Sequence, residues 1–228
     1  VWCVVDAILD RDVITWTIMI SGQCKKGKPN QALMLFEQMK EEGMNPDAMA
    51  YVGVLSACVQ GKNLLNGRHF HACILSMGLS NNVYIANTLM DLYATLGSIK
   101  ESQRVFDEME DQDAISWNIL IAGNAKLGNH EEAIRIFWRM CWDGHNWTDV
   151  TFLNILDVLA DLGDVNLCRD LHVIILASKL EFTTFVDNTL IHTYSKCGSI
   201  VEARRIFRKI RKPDVTAWTA MITGYMKH

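Results

Sequence analysis

Apolar residues recur every three to four positions along most of the chain, and the pattern is interrupted at short regular intervals. Trp16, Met19, Ile20 and Cys24 fall on one helical face. Lys26-Gly27-Lys28-Pro29 ends that run. Ala32, Leu33, Leu35, Phe36 and Met39 then form a second amphipathic stretch, stopped by Gly43 and Pro46. The spacing therefore predicts a helical hairpin over residues 13–47.

The stretch from Asp12 to Gly22 is rewritten twice, as Asp113 to Gly123 and as Asp214 to Gly224. Its tryptophans stand at 16, 117 and 218, so the period is 101 residues, and Lys25, Lys126 and Lys227 keep the same offset. A period held without insertion marks an internal repeat. Within it the hairpin pattern divides into units at 13–47, 48–82 and 83–113, and again at 114–148, 149–183 and 184–214. Residues 1–12 resemble the end of the third unit, and 215–228 hold the first helix of a further one. The expected fold is all-α, a superhelical solenoid of stacked helix-turn-helix hairpins whose core runs along the array. Neither end carries the polar face of a capping repeat, so the chain is expected to be part of a longer array.

Composition narrows the function. Half of the 228 residues are hydrophobic, yet no apolar run is long enough to span a bilayer as a helix. No secretion signal or organelle transit peptide is visible. The seven cysteines lack the spacing of a disulfide framework or zinc site. Several exchange with apolar residues between repeats, as Cys24 does with Ala125 and Met226, so they read as core residues in a reducing compartment. His69 and Cys73 stand one turn apart without further ligands. His130-Glu131-Glu132 has no Pro-Cys-x-x-Cys after it, which removes the zinc-deaminase pattern. Ile134 at the next turn removes the metalloprotease one. We expect neither an enzyme nor a cofactor. The net charge of −4 argues against nucleic acid unless the charges are segregated.

The first unit combines an early aromatic, Gly22, Lys25-Lys26-Gly27, Ala32-Leu33-Met34-Leu35-Phe36 and Asn45-Pro46-Asp47. It resembles a pentatricopeptide repeat. The 48–82 unit, with Ser56-Ala57-Cys58 and Gly67 to Ala72, and the short units, with Tyr194 to Ile200, resemble the L and S units of the plant PLS subfamily. The order is then the end of an S unit, P, L, S, P, L, S and the start of a P unit. A tetratricopeptide repeat would want Gly where Ile20 follows Trp16.

The resemblance implies a sequence-specific single-stranded RNA binder, one nucleotide per repeat, targeting organellar C-to-U editing or transcript processing in a plant mitochondrion or chloroplast. Two residues per unit would read the base, the one after the first-helix aromatic and the last of the unit, as helical-repeat readers do. These are Thr17 with Asp47 for G, and Asn87 with Asp113 and Asn188 with Asp214 for U. Asn118 with Thr148 departs from the pattern and implies a pyrimidine, and Thr219 implies a purine. The L units put Val52 with Asn82 and Leu153 with Thr183 there, and aliphatic side chains make no base-edge hydrogen bond. The implied target is 5′-GNUYNUR-3′. Second residues would sandwich bases, namely Ile14, Met49, Tyr84, Ile115, Val150 and Phe185, with Thr216 as the polar exception. Lys25, Lys126, Lys196 and Lys227 would meet phosphates. Much of the acid, such as Glu37, Glu101 and Glu131, belongs to second helices, although Asp91, Asp157 and Asp161 do not. Multiple organellar RNA editing factor proteins are implied partners through the L units. The alternative is a protein-binding scaffold using the same groove, as tetratricopeptide arrays do.

Overall fold

The structure is a computed structural model describing residues 12–177 and 184–227. The expected half unit before Asp12, with Cys3, and the last residue of the second L unit, Thr183, lie outside the described residues. Within them the chain forms thirteen helices, short and of similar length. They are α1 (Val13–Lys25), α2 (Pro29–Glu41), α3 (Ala48–Gln60), α4 (Leu64–Ser76), α5 (Val83–Thr95), α6 (Ile99–Glu108), α7 (Ala114–Lys126), α8 (His130–Trp142), α9 (Asp149–Leu162), α10 (Val165–Ala177), α11 (Thr184–Lys196), α12 (Ile200–Phe207) and α13 (Val215–Lys227). They fall in two compact units, Val1–Gly123 and Asn124–His228.

In the first unit α1 packs on α3 and α3 on α5, while α2 and α4 each bridge from their own partner to the next odd helix. In the second unit α9, α11 and α13 form the matching row, with α8, α10 and α12 beside it. The phenylalanine of one hairpin meets the aromatic of the next edge-on. Phe36 lies 5.4 Å from Tyr51, Phe106 4.7 Å from Trp117, and Phe207 4.7 Å from Trp218, between ring centroids. This explains the repeated tryptophan, since Trp16 and Trp117 are fully buried among neighbouring hairpins. Trp218 keeps its phenylalanine contact but is 53% exposed.

Turns repeat as faithfully as helices. Gly97 and Gly198 take left-handed φ of 81° and 79°, which lets Ser98 N donate to Tyr93 O at 2.7 Å and Ser199 N to Tyr194 O at 2.9 Å. These bonds satisfy carbonyls that a helix end leaves orphaned. Lys62 holds the same conformation without being glycine (φ 51°), where the second repeat has Gly163.

The thiols correct one expectation. Cys24, Cys58 and Cys168 are buried, but Cys73, Cys141 and Cys197 are only half-buried. Cys73 sits on the partly solvated flank of α4, Cys141 in the last turn of α8, and Cys197 just past α11, where neighbouring hairpins do not close over them. Met19 and Leu33, expected on the core faces, are likewise only half-buried.

Candidate nucleic-acid interface

Among the described residues, the last residue of a repeat caps the helix that follows. Asp12, Asp47, Asp113 and Asp214 accept from the backbone N–H three residues on, at 2.8 Å in each case. Asn82 accepts from Tyr84 N and Ile85 N, and Thr148 forms a capping box with Thr151. Asp, Asn and Thr are favoured there because their oxygens satisfy orphan helix donors. This local role follows from residue type alone and is separate from any contact with a base.

The capping carboxylate has a second contact. Asn87 Nδ2 donates to both oxygens of Asp113, at 3.1 and 3.3 Å, and Asn188 Nδ2 to both of Asp214, at 3.0 Å each. Both asparagines are buried, 8% and 6% exposed, and the carbonyl Oδ1 of each has no hydrogen-bond partner. A buried acceptor left unpaired costs about 1–3 kcal/mol. The Thr17 to Asp47 contact is looser, at 3.5 Å. Asn118 is half-buried on α7.

The second residues stand out from the surface. Ile14, Met49, Tyr84, Ile115, Val150 and Phe185 are all exposed, with Tyr84 at 75%. Thr216 is exposed as well. In the second unit Leu153, Phe185, Asn188 and Thr219 line one groove of about 690 Å³, joined by Asp157 and His192. Burial lowers the His192 pKa, helped by Lys196 and Lys227 and opposed by Asp157 and Asp161. Asp157 is one of the first-helix acids that the sequence marks, whereas His192 lies outside the repeated register and carries no sequence signal.

Lys25, Lys126, Lys196 and Lys227 lie in the last turns of their helices and are exposed. A cation there also complements the helix dipole. Lys196 is already paired, with Asp161 at 3.1 Å, which neutralises one of the first-helix carboxylates. On the other helices Arg68 meets Glu101 at 2.6 Å and Arg169 meets Glu202 at 2.8 Å, a matched pair one period apart. Serine 199 and Arg169 together hold the Glu202 carboxyl below its usual range. His71 Nδ1 and Tyr93 OH are 2.9 Å apart, His172 Nδ1 and Tyr194 OH 3.1 Å. His69 and Cys73 approach to 3.8 Å, and among the described residues no three potential ligands converge on a metal position.

The model of the PPR repeat family matches residues 11–60, and that of the PPR repeat matches 84–113, 115–145 and 188–214, together more than half of the chain. A mitochondrial pentatricopeptide repeat-containing protein of Arabidopsis thaliana is 32% identical over 218 residues, covering 96% of this chain and 34% of its own length. A chloroplastic one from the same plant is 30% identical over 223 residues, covering 98% and 28%. The chain thus spans about a third of the length of the curated relatives it matches. Among solved structures, PPR10 in complex with an 18-nt psaJ RNA element superposes with a TM-score of 0.80 at 19% identity, over 97% of this chain and 34% of that one. PPR10 from maize gives 0.57, also at 19% identity, over 96% and 37%. The likeness carries the fold, an α-solenoid of helical hairpins.

Proposed function

The chain belongs to the pentatricopeptide repeat family, and from that premise we propose that it binds single-stranded RNA in a sequence-specific way, one nucleotide per repeat, at a site of the form 5′-GNUYNUR-3′. The observation that carries this reading is the twice-repeated Asn–Asp pair, Asn87 with Asp113 and Asn188 with Asp214. The carboxylate, itself anchored as a helix cap, holds Nδ2 and thereby fixes which end of the amide is left over. That end is an acceptor without a partner. Uracil offers a ring N–H donor on its pairing edge, so binding it would satisfy the amide. Because Oδ1 is screened from solvent, the base must displace neighbouring side chains to reach it. The exposed Tyr84 and Phe185 supply flat apolar surface beside the two sites for the base to stack on.

PPR10, a structural neighbour, carries RNA in its crystal structure, and the relatives above are mitochondrial or chloroplastic. We assign this chain to the same setting, a plant mitochondrion or chloroplast, with the array directing C-to-U editing or transcript processing by a catalyst on another segment or partner. The L units, with Val52 and Leu153 at the reading position, fit a contact to organellar editing-factor proteins better than base readout.

The test is binding to an RNA containing GAUUAUA, against a copy with the third and sixth letters changed to G, at fixed moderate salt. Each lost pairing should cost about 1–2 kcal/mol if side-chain hydrogen bonds read the base. Asn87→Thr with Asn188→Thr should move the preference to the G-containing copy. Equal binding to both RNAs, unmoved by these substitutions, would remove the assignment and favour a protein-binding scaffold.

A further inference from the structure

The second S unit carries a charge reversal that its copy in the first repeat lacks. Residues 204–212 read Arg-Arg-Ile-Phe-Arg-Lys-Ile-Arg-Lys, six cations in nine positions. One period earlier, 103–111 read Gln-Arg-Val-Phe-Asp-Glu-Met-Glu-Asp. Lys209, Arg211 and Lys212 therefore stand where Glu108, Glu110 and Asp111 stood. The apolar positions between them keep their character, Ile206 for Val105 and Ile210 for Met109. Packing dictates the apolar residues of this segment, and the charges are free of it.

Those three cations, with His172 and Asp187, line a cleft of about 800 Å³ floored by Ile206. All three are exposed, and none forms an ion pair with a described carboxylate. Asp187 is the one carboxylate among the described lining residues, and burial pushes its pKa up while Lys209 draws it down. The cleft keeps an excess of positive charge in a chain whose net charge is −4. Along the chain its lining also borders the candidate reading pair. Asp187 is followed directly by Asn188, and Lys212 precedes Asp214 by two residues, a reach of about 7 Å along the backbone.

We infer that this cleft, through Lys209, Arg211 and Lys212, is a phosphate-binding site for the RNA strand flanking the nucleotide held at Asn188 and Asp214. The inference rests on the RNA-binding reading above. Arginine and lysine here hold the backbone without reading sequence, and the planar guanidinium of Arg211 suits a phosphate bidentately. An acidic protein segment would be drawn by the same charge, but the adjacency to the reading pair favours the strand already bound there.

The test uses the residues that the first repeat already tolerates, Lys209→Glu, Arg211→Glu and Lys212→Asp together. RNA is the GAUUAUA site extended by four nucleotides at its 3′ end, titrated over a range of salt. For a single strand each neutralised phosphate contributes about 0.7 to the slope of log affinity against log salt, so losing three contacts should make the slope shallower by about 2. Affinity at low salt should drop at least tenfold, while preference for U over G at the sixth letter is retained. An unchanged slope and affinity would overturn the assignment. So would an unchanged slope accompanied by loss of binding to poly-glutamate, which would hand the cleft to an acidic protein partner. If the triple variant unfolds on a thermal melt, the Lys209→Gln, Arg211→Gln, Lys212→Gln variant takes its place with the same criteria. RNA bound by the wild type without base preference would sink the base code yet leave the slope comparison to decide the cleft, and no RNA binding at all would sink both.

Discussion

At the scale of single residues, the Asn–Asp pair joins two functions that the sequence presents separately. Asp113 and Asp214 are placed by the backbone as helix caps, and only then can they orient Asn87 and Asn188. Asn188→Asp tests this coupling. It would set two carboxylates about 3 Å apart, and like charges that close push one pKa upward. A raised carboxyl pKa lowers stability as pH rises above the unfolded value near 3.9. The variant should melt lower than wild type at pH 7 and recover toward it by pH 5, whereas equal deficits at both would mean that the pair is not in contact. Thiol chemistry divides by the same logic of burial, which pushes Cys58 and Cys168 up to about 12 and leaves them unreactive.

At the scale of elements, hairpins are uniform because one short motif does three jobs. A polar residue starts the first helix, an aromatic of the longer units (Tyr51, Trp117 or Trp218) meets the preceding phenylalanine, and a left-handed glycine ends the turn. The repeat itself identifies where this fails. Lys62 pays the left-handed penalty that Gly163 avoids at the equivalent position, so Lys62→Gly should raise stability by about 1 kcal/mol. Close helix packing sets the opposite expectation at Gly123, where a Cβ would lie 2.8 Å from Ile99 Cδ1 and 2.9 Å from Ala94 Cβ. Gly123→Ala should destabilise by about 1–3 kcal/mol. Chemical denaturation of both variants would check the pair, and a neutral result at Gly123 would show that α5 and α7 can separate without loss.

At the scale of the whole molecule, stability should depend on pH through its half-buried histidines. Burial is the main cause that lowers the pKa of His71, His172 and His192, the last two helped by Lys209 and by Lys196. Glu108 opposes the shift at His71. The folded chain then binds fewer protons than the unfolded one at pH just below the unfolded value of about 6.5, so stability rises with pH in that window. Melting temperature should fall between pH 7 and pH 5, and His71→Gln with His172→Gln should flatten the decline. A double variant as pH-sensitive as wild type would place the titration elsewhere.

The sequence by itself determined the all-α class, the hairpins and their order, because a 101-residue period written in tryptophans, glycines and lysines constrains helix, turn and neighbour together. It also marked the positions proposed to read bases, since those occupy a constant register. What the tertiary structure decided was which of these groups meet. Asn87 and Asp113 lie 26 residues apart, and only the packing of α5 beside the start of α7 brings amide to carboxylate and leaves one acceptor over. The pairing of Lys196 with Asp161, the half-exposure of three cysteines and the cleft at Lys209 to Lys212 were likewise invisible. Periodicity reports the face on which a side chain stands, whereas its partner depends on the distance between faces, and that distance is set by the side chains packed between them.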